Sequence, residues 1–230
     1  MTVTGQDQDS HEARLLGGLA DGRASVRLRA ALAIGSAPRP GFVGALVERC
    51  AVEPEFSVRD MLTWALTRHP VSLTLPALLR ELGSQGAQAR SQALHTLSKT
   101  RDARAYPAIT RALLTDADDE VARSAWRAAV VLVPEGEEPA LVAVLVTQLG
   151  RGPLETRRSL SRALVGLGEV IVPALRAAAE VADPEVRAHV LATERLLRDP
   201  DSGFEGAVEE AKRVVALGGP GRAGRDDGRC

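Results

Sequence analysis

Aromatic residues are nearly missing: two Trp, one Tyr and three Phe make up 3% of 230 residues. Any core must be filled by Ala, Leu and Val, which suits helices packed closely through small side chains and puts β structure at a disadvantage. Lysine occurs only as Lys99 and Lys212, so the 29 basic residues are almost all Arg, a bias that looks like a GC-rich bacterial genome. Excess charge of either sign is missing too. A formal charge of −1 and a pI near 6.5 give no overall field that would draw the chain to nucleic acid or anionic lipid. The two cysteines, Cys50 and Cys230, form neither a disulfide framework nor a metal-ligand spacing. No apolar run approaches the ~20 residues of a membrane span, and "MTVTGQDQDSHEARLL" lacks the basic-then-apolar pattern of a secretion signal. A cytoplasmic, reducing location is expected. What is present, 45% hydrophobic and 26% charged residues, can bury a core, and one domain is expected.

The chain restarts the same helix. "ASVRLRAALAIG" at Ala24, "FSVRDMLTWALTR" at Phe56 and "PEVRAHVLATERLL" at Pro184 open alike. Aligned, the echoes are Val26-Arg27, Val58-Arg59, Ala89-Arg90, Val121 with Arg123 one place late, Thr156-Arg157 and Val186-Arg187. A step of roughly 30 to 35 residues marks stacked helical repeats, and six units exceed the ~3 that a continuous core needs. A second element recurs upstream of each: Pro76-Ala77-Leu78, Pro107-Ala108-Ile109, Pro139-Ala140-Leu141 and Pro173-Ala174-Leu175. Proline suits a helix's first turn, so "PALLREL" and "PALVAVLVTQL" are expected to begin first helices, with Pro173 alternatively kinking a helix begun at Glu169. Breaks such as "GSQGAQ", "TDADDE", "GRGPLE" and "VADPE" are the turns between paired helices. In the second helix Val58, Leu62, Ala65 and Leu66 form one apolar stripe, which Thr156, Leu160, Ala163 and Leu164 repeat.

From Leu15 to Leu197 this pattern resembles the HEAT repeat family, in its short, roughly thirty-residue bacterial form related to bilin-lyase-like repeats. The first-helix Pro, the inter-helix Asp and the Val-Arg opening carry it, best seen as Pro173, Asp183, Val186 and Arg187. The first repeat lacks the proline and the fourth shifts its arginine. The resemblance implies an all-α fold, a right-handed α-α superhelix of about six helical hairpins. It also implies a structural role for Arg27, Arg59, Arg90, Arg157 and Arg187, each pairing with an acid or capping a turn. The repeat domain is expected over 11–217, ending in a capping helix over 204–217, with a flexible N-terminus over 1–10 and a disordered tail over 218–230.

Catalytic patterns do not assemble. Gly219 and Gly224 have P-loop spacing, but Arg225-Asp226 replace Lys-Ser/Thr. "DADDE" at Asp116 to Glu120 hints at a calcium loop, yet Val121 and Arg127 stand where Gly and Glu are required. Acids there suit a helix N-terminus. Some HEAT-like enzymes use His-Glu pairs around a di-iron site; only His11-Glu12 forms such a pair, and His69, His95 and His189 are assigned to surface or core. No enzyme activity, cofactor or metal is expected.

The resemblance places second helices along a concave groove. Positions two and six after each buried Val are expected to face it: Leu28, Asp60, Ser91, Arg123, Arg158 and Ala188, then Leu32, Trp64, His95, Arg127, Arg162 and Ala192. Arg123 and Arg127, with Arg158 and Arg162 on the next second helix, would form one cationic patch, and like charges four apart repel, so the fold does not ask for them. Trp126 is expected to point away from the apolar stripe and Trp64 to lie at its edge. The candidate partner-binding residues are therefore Trp64, His95, Arg123, Trp126, Arg127, Arg158 and Arg162, facing an acidic peptide, helix or phosphate. Against this stands a solvated face whose arginines Glu120 and Glu155 neutralise. The expected function is a non-catalytic scaffold or regulatory adaptor for a protein partner. The alternative is duplex DNA binding in the manner of HEAT-like alkylpurine DNA glycosylases, with Trp64, Trp126, Asp60 and the arginines cast in that role.

Overall fold

The computed structural model describes residues 5–180, 183–199 and 204–216, and its regular structure is helical throughout these residues. No described helix is long and apolar enough to cross a membrane. The tail over 218–230, with Gly219, Gly224 and Cys230, lies outside the described residues. The chain divides into two compact units, Met1–Glu135 and Gly136–Cys230.

The first unit holds four hairpins: α1 (Gly5–Leu19) with α2 (Ala24–Ser36), α3 (Phe42–Val52) with α4 (Phe56–Thr67), α5 (Val71–Glu81) with α6 (Ala87–Thr100), and α7 (Arg111–Leu114) with α8 (Asp119–Leu132). Residues 5–10, expected to be flexible, already belong to helix α1. The second helices lie side by side, α2 on α4, α4 on α6 and α6 on α8. The second unit holds α9 (Glu138–Leu145) with α10 (Leu154–Gly166), α11 (Val172–Ala179) with α12 (Pro184–Arg198), and α13 (Phe204–Ala216).

Proline behaves as expected in two first helices and differently in two. Pro139 and Pro173 are second residues of α9 and α11, and a 3₁₀ turn over Gly168–Ile171 leads into α11. Pro76 sits inside α5, which starts at Val71 behind Pro70. The bond it forfeits is to the carbonyl of Ser72, an exposed residue, so water can replace it. Pro107 ends in a 3₁₀ segment over Ala103–Ala108, and a new cap at Thr110, accepting from the Leu113 N–H, starts the single turn of α7.

The recurring arginines lock the turns. Arg27 Nη1 donates to the carbonyls of Asp21 and Gly22, while Nε and Nη2 grip the Glu53 carboxylate at 2.7 Å each. Arg59 Nη1 takes the carbonyls of Glu53 and Pro54; Arg90 takes those of Ser84 and Gln85 and pairs with Asp116. In the second unit Arg157 takes the carbonyl of Gly152 and pairs with Glu185. Glu53 is fully buried. Burial works against its ionisation, but Arg27, the Glu55 N–H and Arg49 prevail and hold its carboxyl at about 2. Where side-chain caps are lacking at α2, α4 and α6, these guanidiniums serve the turn instead.

Buried hydroxyls join successive second helices. Ser91 Oγ lies 3.0 Å from Ser124 Oγ, and Ser161 Oγ lies 2.7 Å from Thr193 Oγ1. His189 extends the latter: its Nδ1 accepts the Gly150 N–H, so Nε2 carries the proton toward the Arg157 carbonyl. Burial pushes this imidazole down to about 4.

Candidate functional site

Counted from the residue that opens each second helix, the repeats share columns that burial sorts. The fifth residue after it is buried in five repeats: Ala31, Thr63, Leu94, Trp126 and Ser161. The sixth is open in the first four: Leu32 is 46% and Trp64 37% exposed, Arg127 is exposed and His95 half-buried. This is the row the helical period anticipated.

Trp126 does not belong to it. The indole is completely buried beneath α7, and its Nε1–H donates to the Leu114 carbonyl at 2.7 Å. It is a core residue, not a contact for a partner, because Ala122, Ala125 and Ala129 broaden the buried face of α8 beyond the stripe. The aligned column was the signal: Trp126 stands where the other repeats place Leu94 and Ala31.

Trp64 owes its place to a glycine. A methyl group on Gly35 would fall 2.3 Å from the Trp64 ring and 2.9 Å from the Cα of Ala65, so the indole lies close against the backbone of α2. On the same face of α4, Phe56 is 75% exposed, with the Arg59 guanidinium over its ring.

Two adjoining hollows of about 190 and 300 Å³ follow α4, α6 and α8 and share Arg59, Ser91, Gln92 and Glu120. Phe56, Asp60, His95 and Arg127 line the first, and Asp118 the second. Arg127 Nη1 donates to His95 Nδ1 at 3.2 Å, which requires a neutral imidazole. Burial first, then Arg127 and Lys99, lower the His95 pKa against the opposing pull of Asp60.

The arginines divide by column. Arg123 meets Glu120 at 2.7 Å and Arg158 lies 3.9 Å from Glu155, as a solvated face would have it. Arg127 and Arg162, one turn further on, have no carboxylate within ion-pair distance among the described residues. Burial and then Arg123 work against the charge of Arg127, with Glu120 in its favour. Arg123 and Arg127 come together on α8 of the first unit, while Arg158 and Arg162 belong to α10 of the second. The first hollow thus offers apolar area at Phe56 and, at Arg127, a cation with no carboxylate at ion-pair distance among the described residues, while Trp64 is exposed further along α4.

The last repeat closes the row. Ala188 and Ala192, the second and sixth positions of α12, are buried in one apolar cluster with Leu196 and with Val208 and Ala211 of α13.

No curated protein matches the sequence. A crystal structure of an engineered protein, from the Northeast Structural Genomics Consortium, is similar at 21% identity and a TM-score of 0.46, covering 90% of this chain and 96% of that one. The family model for HEAT repeats matches residues 44–130. That stretch contains α4, α6 and nearly all of α8. The helices that carry Trp64, His95 and Arg127 lie within the stretch that matches HEAT repeats.

Proposed function

We propose that this chain is a non-catalytic protein-interaction module, an adaptor or regulatory scaffold that binds an acidic partner along the open row of its first unit. The supporting observation is Arg127: an exposed guanidinium with no carboxylate at ion-pair distance among the described residues, pressed by Arg123 and bonded to a neutral histidine, gains from a carboxylate on a ligand. Trp64 and Phe56 add the amphipathic area on which binding energy concentrates. Arg158 and Arg162 serve the same partner chemistry on the second unit. Duplex DNA is the poorer occupant, since phosphates along its whole length would meet Asp60, Asp118 and Glu120 in the same hollows, whereas a protein partner can confine its acids to Arg127.

Photo-crosslinking tests the reading. A photoreactive residue at position 64 should capture a defined polypeptide, one at exposed Leu73 on α5 should not, and Arg127→Glu should abolish capture from position 64. Equal capture from both positions would defeat it. So would retention on random duplex that falls steeply with salt.

A further inference from the structure

The covered row of the second unit indicates what the open row of the first accepts. In α12 the second and sixth positions are alanines, and an amphipathic helix, α13, lies on them through Val208, Ala211 and Val215, with Val165 of α10 packed at its flank. Its exposed side carries Glu209 and Lys212 as a surface pair. In the first unit the sixth-position column is open, apolar at Leu32 and Trp64 and cationic at Arg127, while in the second-position column Asp60 is exposed and Ser91 is buried. The sixth position that α13 covers on α12 is thus left uncovered on α2, α4 and α8.

We infer that the first unit's row receives an amphipathic helix of a partner protein, with an apolar stripe toward Leu32 and Trp64 and carboxylates toward Arg127. This rests on the interaction-module reading and narrows it to one class of ligand. A helix crossing α2, α4, α6 and α8, each roughly 8–10 Å from the next, spans about 28 Å and needs about 19 residues. Charge settles the edge. Arg127 has no carboxylate within ion-pair distance among the described residues, and Asp60, exposed on α4, disfavours an acid at the apolar end. The His95 imidazole accepts from Arg127 and leaves its guanidinium other N–H groups for the incoming acid.

Three synthetic probes decide it, each of about 20 residues: a helix with a Leu stripe and Glu at one end, the same helix with Lys for Glu, and the Glu sequence interrupted by two prolines. Binding to the full chain is read from Trp64 fluorescence, with Trp64→Phe as the blank. The Glu helix should bind at least tenfold tighter than either other probe. Arg127→Glu should reverse its preference over the Lys helix, and Asp60→Lys should strengthen it. Equal binding of the proline-broken peptide overturns the helix while leaving an acidic-peptide module intact. Absence of binding by all three probes overturns the inference, and failure of the position 64 crosslink as well removes the wider reading. A dimer in sedimentation that the Glu helix cannot dissociate assigns the row to a second copy and overturns it equally.

Discussion

Helices α8 and α12 begin in the same way and end in different company. Each starts behind an aspartate, Asp118 or Asp183, whose side chain accepts from a backbone N–H two residues on. In α8 the two row positions are Arg123, half-buried and paired with Glu120, and Arg127, open to water; in α12 they are Ala188 and Ala192, shut beneath α13. The difference teaches that packing and presentation occupy separate columns here. A hairpin can keep its core and exchange a charged surface for a seat.

The contrast between buried and open columns can be broken most severely at Trp126. Trp126→Ala removes a fully buried indole and its bond to the Leu114 carbonyl and should cost about 3–5 kcal/mol in urea denaturation. Trp64→Ala, in the neighbouring open column, should cost less, about 2–3 kcal/mol, because the indole is 37% exposed.

Acid sharpens the difference between units. In the folded chain His189 titrates at about 4 against 6.5 when exposed, so between those values only the unfolded chain takes up the proton. Its contribution is complete above pH 6.5, declines as pH falls to about 4, and amounts to about 3 kcal/mol. Glu53, in the first unit, adds a second window: its stabilisation is present above 4.5 and is lost as pH falls toward 2. Unit-specific hydrogen exchange against pH should show the second unit loosening first, and His189→Gln should flatten that first window.

Gly35→Ala should cost about 1–3 kcal/mol, because the new methyl meets the Ala65 backbone as well as the Trp64 ring. The Trp64 emission should shift to longer wavelength as the indole lifts into water. The smallest effect belongs to Arg127→Glu, within about 0.5 kcal/mol of the parent in the same denaturation assay, because the Arg127 side chain is exposed.

The paired helices and the turn-locking arginines were legible in the sequence, because each recurs with the repeat. Of the positions expected to face a groove, Leu32, Asp60, Trp64, Arg127 and Arg162 are exposed, whereas Ser91, Ala188 and Ala192 are buried. Arg27, Arg59, Arg90 and Arg157 each reach the turn behind them, as a structural reading required. Less legible were features fixed by a neighbour in space. Trp126 was misplaced because its burial depends on α7, a single turn whose position follows from the 3₁₀ segment before it. The contact of Trp64 with Gly35 joins two repeats, and no pattern within one helix announces it. The hydroxyl pairs between second helices look like ordinary surface serine and threonine until the helices are stacked. The neutralisation of Arg123 but not Arg127 turns on where Glu120 points, a matter of one helical turn.

The ionic clasps between turns set a rule for how this chain can lengthen. Arg27 reaches an acid 26 residues ahead, Arg90 another 26 ahead, and Arg157 one 28 ahead. A whole hairpin added by gene duplication brings its own clasp and leaves the others shut, whereas a few residues inserted between an arginine and its acid would pull one open. Growth by entire modules is tolerated, and growth by fragments is not.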